Sequence, residues 1–318
     1  MKKWIAGAAV GAGLLAFTYC ELSHFMLLSD FRGKYELPKN DPDPAHLKEL
    51  RKNGFKNCGD GEWFEAMAER CETIMNRDNK AIYAYMIRQP KKSNKWAIVC
   101  HGYTSRPHQM SSMARRYYSY GFNIIAPCAR AHDKSEHKIC TMGWLERLDI
   151  LDWIHHVVKN DPSAQIIMHG ISMGAATVMN VTGEAECPDN VKCMIEDCGF
   201  STCWAQFNNV IKEAVHFKAP WALAAPRKWY KLRAGWDIMD NNPINQVAKS
   251  KVPTLFLHGS ADTFVPFSMR DELYEAASCE KEKCTIEGAD HANSVNLNPE
   301  KYHAACKEFI AKYIPLEN

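Results

Sequence analysis

Short apolar segments alternate with longer amphipathic segments through most of this chain, and that rhythm constrains its fold more than any other feature. The apolar segments are residues 96–100, 122–126, 165–168, 191–196, 254–257 and 283–286. The longer segments between them have the apolar spacing of helices. Strands separated by helices predict an α/β protein with a mainly parallel sheet and helices on both faces. Segments 70–75 and 81–87 flank a turn-forming stretch and predict an antiparallel hairpin at the edge of the sheet.

One interval, residues 199–248, interrupts this rhythm. It is too long for an ordinary connection between two strands, and it contains Trp204, Trp221, Trp229 and Trp236. We therefore predict a helical insertion above the sheet, here called the cap (residues 199–248). Pro220 and Pro226 predict that the cap consists of several short helices that move as a lid. Its aromatic side chains are expected to pack on the sheet or to line an apolar pocket.

The N-terminus combines two lysines with an apolar run. Lys2 and Lys3 precede residues 4–28, which are largely apolar. This pattern predicts an uncleaved signal anchor at residues 1–28, with a cleaved signal peptide as the alternative. The lysines favour a cytoplasmic N-terminus, so the sequence predicts a single-pass protein of the cell membrane with its catalytic domain outside the cytoplasm, or alternatively a secreted protein. Residues 29–69 are predicted to be a tether with a short helix, and residues 70–318 to be the main domain.

The overall composition is that of an ordinary globular protein. Hydrophobic residues make up 46% of the chain and the net charge is +2. The chain lacks the basic excess of a nucleic-acid-binding domain, so no nucleic-acid partner is expected. His132, His137 and Cys140 match no ligand spacing, and there is no H-E-x-x-H, so no metal is expected. The thirteen cysteines show no disulfide framework.

A G-x-S-x-G motif at residues 170–174 carries the strongest chemical signal. It follows the strand 165–168 and opens a helix at 173–181, which is the strand–turn–helix setting that a nucleophilic serine requires. The glycines allow a sharp turn that lifts Ser172 above the sheet, and the helix N-terminus favours developing negative charge. A serine that only caps a helix is the alternative, but the two glycines favour a nucleophile.

A serine nucleophile needs a base, and two later strand ends supply a base and an acid. Asp262 follows the strand 254–257, and His291 lies in the loop after the strand 283–286. The order Ser, acid, His is the one found on a sheet of this kind. We assign Ser172 as nucleophile, His291 as general base and then acid, and Asp262 as the group that orients the imidazole. Asp197 and Asp290 are rivals for the role of acid.

A tetrahedral intermediate also needs donors for its oxyanion. The backbone N–H of Met173, directly after the nucleophile, is one predicted donor. The backbone N–H of Tyr103, in the turn after the strand 96–100, is the other.

From about residue 70 to its end, the chain resembles the α/β-hydrolases, and it is most similar to the serine-aminopeptidase-like serine hydrolases. The resemblance rests on residues 101–103, 170–174, 196–200, 258–262 and 290–291. It implies the α/β-hydrolase fold with the triad and oxyanion hole assigned above. Such relatives in Gram-positive bacteria often carry an N-terminal membrane segment. The chain departs from the relatives' Asp-x-Arg-x-His-Gly-x-Ser pattern at residues 128–135, where it has Cys128 and Asp133 in place of Asp and Gly. This departure should alter that loop but not the triad.

These observations predict a serine hydrolase that cleaves carboxylic esters through an acyl-enzyme. Its substrate is expected to be a small ester or acyl compound, and water is the second substrate, so no cofactor is expected. A peptidase or amidase of the serine-aminopeptidase type is the second reading. The excess of Lys and Arg over Asp and Glu in the cap disfavours recognition of a substrate amine. A non-catalytic binding protein on a hydrolase scaffold is the third reading.

Overall fold

One eight-stranded sheet organises the chain in the computed structural model, which describes residues 44–55, 58–68, 70–216 and 223–316. Its strands are β1 (Arg70–Met75), β2 (Ala81–Ile87), β3 (Lys95–Cys100), β4 (Asn123–Pro127), β5 (Gln165–Ile171), β6 (Val191–Asp197), β7 (Thr254–Gly259) and β8 (Lys281–Ile286). The strand order is β1-β2-β4-β3-β5-β6-β7-β8. β2 pairs antiparallel with β1 and β4, and the remaining pairs are parallel. The predicted α/β class and mainly parallel sheet are confirmed.

Helices connect the strands. They are α1 (Pro44–Lys52), α2 (Asp60–Met67), α3 (Ser111–Ser119), α4 (Glu146–Asn160), α5 (Met173–Thr182), α6 (Cys203–Val215), α7 (Ala224–Ala234), α8 (Pro243–Val247), α9 (Ser268–Ala276), α10 (Ser294–Leu297) and α11 (Pro299–Ala311). Short 3-10 helices lie at Pro107–Met110 and Ile238–Asp240.

Alternation along the strands divides the core between the two faces of the sheet. Ala97 and Val99 of β3 belong to one buried cluster, together with side chains of α2, α3 and α11. Ile98 belongs to a second cluster with side chains of α4, α5 and α9. Successive strand residues point to opposite faces, so a central strand that is buried on both sides must be apolar throughout. Helices therefore cover both faces, as predicted.

Helix α2 lies within the segment that the sequence predicted to be a tether. Trp63 and Phe64 are buried in the core, at 3% and 0% exposure. The Trp63 ring lies 5.5 Å from that of Tyr118, and the Phe64 ring lies 6.0 Å from that of Tyr85. The adjacent aromatic pair was the signal for this helix, since two large rings are costly to leave in water. The core thus extends before residue 70.

The cap interval contains α6, α7 and α8 between β6 and β7. Phe207, Tyr230 and Trp236 of the cap are buried in one cluster with Met173 and Val265, which follow the carboxyl ends of β5 and β7. The described part of the cap therefore packs over that end of the sheet. Trp221 and the side chain of Trp229 lie outside the described residues.

The predicted single-pass membrane location is wrong, because the structure contradicts it. Among the residues that the structure describes, no helix has both the length and the apolar character needed to cross a bilayer. Residues 4–28, on which the prediction depended, lie outside that part of the chain.

The twelve cysteines in the described part are free thiols.

Replacement of Phe64 by alanine tests whether α2 belongs to the folded core. Because Phe64 is fully buried, Phe64→Ala should lower the free energy of unfolding by about 3–5 kcal/mol, measured by urea denaturation. Met75 is 58% exposed on the edge strand β1, so Met75→Ala is the matched control and should change stability by no more than about 0.5 kcal/mol. Equal stability of the two variants would contradict the integration of α2.

Candidate active site

Ser172 lies in a sharp turn between β5 and α5. Its backbone dihedral angles are φ 56° and ψ −116°, a region that side-chain-bearing residues rarely adopt. A Cβ added to Gly170 would overlap the carbonyl of Gly174, and one added to Gly174 would overlap the carbonyl of Cys100. The two glycines are therefore required by close approach of backbone segments. The N–H of Ser172 donates to the carbonyl of Asp197 at 2.8 Å, which ties the turn to β6.

The structure brings Ser172, His291 and Asp262 together in one chain of hydrogen bonds. Ser172 Oγ lies 2.9 Å from His291 Nε2, and His291 Nδ1 lies 2.7 Å from Asp262 Oδ2. A carboxylate accepts hydrogen bonds, so Nδ1 carries the imidazole proton and Nε2 is left to accept from the serine hydroxyl. This geometry can remove the hydroxyl proton as the serine attacks an electrophile.

Three donors surround the carboxyl group of Asp262. Oδ2 accepts from His291 and lies 3.2 Å from His258 Nε2, and Oδ1 accepts from the N–H of Val265 at 2.9 Å. Burial alone would raise the pKa of Asp262, but the hydrogen bonds from His258 and His291 outweigh it and lower the pKa to about 2. The carboxylate is ionised at neutral pH. The stability that it contributes is present above about pH 4 and is lost as the pH falls through about 2.

The rival carboxyl groups are bonded elsewhere. Asp197 Oδ2 accepts from the hydroxyl of Tyr302 at 2.9 Å, and that hydroxyl lies 2.9 Å from His169 Nε2. Burial raises the pKa of Asp197 to about 6, although the bond from Tyr302 opposes the shift. Asp290 Oδ1 accepts from the side-chain amide of Asn293 at 2.7 Å. His169 links the hydroxyl of Tyr302 to the hydroxyl of Tyr117, which lies 2.6 Å from His169 Nδ1.

The turn that follows β3 lies directly beside the nucleophile. A Cβ added to Gly102 would lie 3.5 Å from Ser172 Cβ. The next residues are Tyr103, predicted as an oxyanion donor, and Thr104, whose φ is 59°. Met173, the other predicted donor, is the first residue of α5 and its side chain is buried. Tyr103 follows Gly102, which lies beside Ser172, and Met173 follows Ser172 in the chain. Both predicted donors are therefore next to the nucleophile.

No family model matches the chain. The uncharacterized protein YqkD of Bacillus subtilis is 28% identical over 315 residues, which cover 98% of this chain and 97% of that protein. The esterase Pf2001 of Pyrococcus furiosus is a structural neighbour with a TM-score of 0.64 and 24% identity, over 77% of this chain and 91% of that one.

Two further solved structures resemble the chain. Est1E of Butyrivibrio proteoclasticus with bound ferulic acid has a TM-score of 0.58 at 20% identity, over 76% of this chain and 98% of that one. The acylaminoacyl peptidase of Pyrococcus horikoshii has a TM-score of 0.56 at 17% identity, over 78% of this chain and 42% of that one. The chain has the α/β-hydrolase fold. Its strand order and the site at the carboxyl ends of β5, β7 and β8 agree with that assignment.

The loop after β4 departs from the Asp-x-Arg-x-His-Gly-x-Ser pattern that the sequence resemblance implied. Asp133 stands at the glycine position of that pattern, and its φ of 44° lies in the left-handed region that glycine favours and aspartate tolerates. Cys128 stands at the aspartate position of the pattern, and its thiol donates to Asp133 Oδ2 at 3.6 Å. The loop therefore retains a carboxyl group, but at a different position.

His132 in this loop makes contacts that the sequence did not predict. Its Nε2 accepts from the N–H of Thr104 at 3.1 Å, while its Nδ1 lies 2.7 Å from the carbonyl of Arg130. His101 Nε2 accepts from the N–H of Ala129 at 3.1 Å, and burial next to His132 lowers the pKa of His101 to about 3. The two neutral imidazoles fasten the turn beside Ser172 to the loop after β4. The relatives' pattern, which has histidine at position 132, was the available signal.

The three residues considered as metal ligands in the sequence do not face one common position. His132 faces Thr104, His137 Nε2 lies 3.1 Å from the side-chain amide of Asn76, and Cys140 Sγ lies 3.3 Å from the sulfur of Met173.

Asp78, His137 and Asp149 do lie close together within the described chain. Arg130, however, donates to both carboxylates at 2.7–2.8 Å. The cluster is therefore a satisfied ion-pair network.

Replacement of His132 tests its part in holding the turn after β3. His132→Ala should lower kcat/KM for an activated ester by roughly 10- to 100-fold, because Thr104 loses its acceptor and the oxyanion donors lose their alignment. His137→Ala is the control, since His137 is a buried histidine of the same loop that bonds away from Ser172. Steady-state kinetics and thermal unfolding of both variants distinguish a positioning role from general destabilisation. If the two variants are equally destabilised and lose kcat/KM equally, His132 has no positioning role.

Proposed function

We propose that this chain is a serine hydrolase that cleaves carboxylic esters through an acyl-enzyme. The observation that carries the proposal is the unbroken hydrogen-bond chain from Ser172 through His291 to the ionised Asp262. Pf2001, a neighbour with the same fold, is described as an esterase, and Est1E, another such neighbour, binds ferulic acid, a carboxylic acid; both support an ester substrate.

The proposed acylation step uses the hydrogen bonds between Ser172, His291 and Asp262. His291 Nε2 takes the proton of Ser172 Oγ while the oxygen attacks the ester carbonyl, and the carboxylate of Asp262 stabilises the imidazolium that results. The backbone N–H groups of Tyr103 and Met173 are the proposed donors to the oxyanion. The imidazolium then returns its proton to the alkoxy oxygen as the C–O bond breaks, which releases the alcohol and leaves Ser172 acylated.

Deacylation repeats the sequence with water in place of the serine. His291 removes a proton from a water molecule that attacks the acyl carbonyl, and then protonates Ser172 Oγ as the acid departs. Every group needed for both halves belongs to this chain, so the proposed mechanism uses no cofactor.

An aminopeptidase would need a free carboxylate in the cap to hold the substrate ammonium. Asp237 instead accepts from Arg227 at 2.6 Å and 2.7 Å, and these bonds lower the pKa of Asp237 to about 2. Glu213 lies 3.3 Å from Lys212 Nζ, and Asp240 accepts from the N–H of Asp237. These three carboxylates already have donors, so the described part of the cap favours an uncharged ester over a free amine.

The first test is ester turnover by wild type and by Ser172→Ala. Wild type should hydrolyse short p-nitrophenyl esters, and the variant should lose on the order of 10³-fold or more in kcat. Product release at the same rate by both proteins would end the proposal. Matched aminoacyl p-nitroanilides address the peptidase alternative, because exclusive anilide cleavage would replace the ester proposal with that one.

The second test concerns the acid. Asp262→Asn should lower kcat by about 10⁴-fold, since an amide at this position favours the wrong imidazole tautomer. Asp197→Asn is the control: it keeps an acceptor for Tyr302 and does not touch His291, so its loss should be far smaller. The reverse order of losses would move the acid role to Asp197.

A non-catalytic role is separated by a covalent probe. A fluorophosphonate should label wild type at neutral pH and fail to label Ser172→Ala, because the probe reacts with an activated serine. Folded wild-type protein that stays unlabelled would favour a binding function.

A further inference from the structure

We propose that Phe264 walls a leaving-group subsite and gives this chain a preference for esters of aryl-bearing alcohols. The inference deepens the proposed ester hydrolysis and rests on it.

Phe264 is an aromatic ring placed in the open beside the catalytic histidine. Its side chain is 50% exposed, and its ring centroid lies 4.8 Å from that of the His291 imidazole at an interplanar angle of 48°. A large apolar ring left half in water costs free energy that a substrate can recover by covering it. Its contact with His291 places that apolar surface beside the imidazole that exchanges protons with the substrate.

The loop that carries Phe264 is held on both sides. The carbonyl of Phe264 accepts from Gln206 at 2.8 Å and from Asn209 at 3.1 Å, and both amides belong to α6 of the cap. The next residue, Val265, donates its N–H to Asp262 Oδ1. The backbone that carries the ring is therefore fixed relative to the acid and the base, and the ring contact with His291 places an apolar wall there.

The reaction itself directs the alcohol part of the substrate to this ring. When the C–O bond breaks, the departing oxygen must lie within hydrogen-bond reach of His291 Nε2, which supplies its proton. The carbon substituent on that oxygen then lies alongside the imidazole, which Phe264 flanks. An aryl group one carbon from the oxygen can reach Phe264 in an edge-on or offset arrangement, the geometry that aromatic pairs favour.

Three acetate esters isolate this contact. Benzyl, cyclohexylmethyl and ethyl acetate pass through the same acetyl-enzyme, so differences in kcat/KM report acylation and not deacylation. Their alcohols differ little in acidity, so the comparison reflects contact with the protein. Wild type should favour benzyl acetate over the other two.

In Phe264→Ala the preference for benzyl over ethyl acetate should fall about fivefold, the size of one aromatic contact. Phe264→Leu keeps an apolar side chain of comparable size, so it guards against misfolding, and it should lose the preference for benzyl over cyclohexylmethyl acetate. Met75→Ala removes another exposed apolar side chain (58%, against 50% for Phe264) on β1, at the far edge of the sheet, and should leave every ratio unchanged.

The outcomes distinguish this inference from the proposed function. Unchanged ratios in both Phe264 variants, with turnover that depends on Ser172, overturn the subsite and leave the hydrolase in place. Equal losses on all three esters assign Phe264 to support of the loop and also overturn it. Equal dependence of benzyl and cyclohexylmethyl acetate on Phe264 overturns the aryl preference. Absence of Ser172-dependent turnover of any ester removes the proposed function and this inference together.

Discussion

The site depends on how closely the start of α5 approaches the strands beneath it. Gly170 and Gly174 leave no room for a Cβ against the neighbouring backbone, so the turn between them can be made only with these two glycines. Between the two glycines Ser172 has φ 56°, and its hydroxyl lies 2.9 Å from His291 Nε2. The strain is borne because β5 is central, with β3 and β6 paired on either side. Every other group of the site is arranged around this one fixed oxygen.

Two buried carboxyl groups lie at or just after the ends of neighbouring strands near the histidine, and they differ in position and in hydrogen-bond partners. Asp262 is surrounded by N–H donors from His258, His291 and Val265, which lower its pKa to about 2. Asp197 ends the neighbouring strand and is also buried, yet burial dominates there and raises its pKa to about 6. Asp262 is ionised and lies 2.7 Å from His291 Nδ1, so it can stabilise an imidazolium, whereas Asp197 accepts from the hydroxyl of Tyr302 instead. The two groups differ in their donors, not in their residue type.

The sequence predicted what depends on strand ends and missed what depends on distant contacts. Ser172, Asp262 and His291 could be placed together because the carboxyl ends of parallel strands meet at one edge. The bond from Thr104 to His132 was missed, since the quoted loop pattern marks the histidine but not its partner, which lies 28 positions away in another loop. Helix α2 was missed for a related reason: short helices are stabilised by tertiary packing, and the polar residues around Trp63-Phe64 conceal it. The membrane location was inferred from the two lysines and the apolar run at residues 4–28, and it is contradicted by the absence of a membrane-spanning helix among the described residues.

The contacts of α6 bear on the expectation that the cap moves as a lid. Gln206 and Asn209 donate to the carbonyls of Phe264 and Thr263, and Phe264 lies against His291. Opening of α6 away from the sheet would break these bonds and loosen the loop that also holds Asp262. If α6 opened in this way, Asp262 would be displaced from His291 whenever substrate entered the site. We therefore infer that α6 forms a fixed wall of the site, and that any opening of the cap must leave α6 in place.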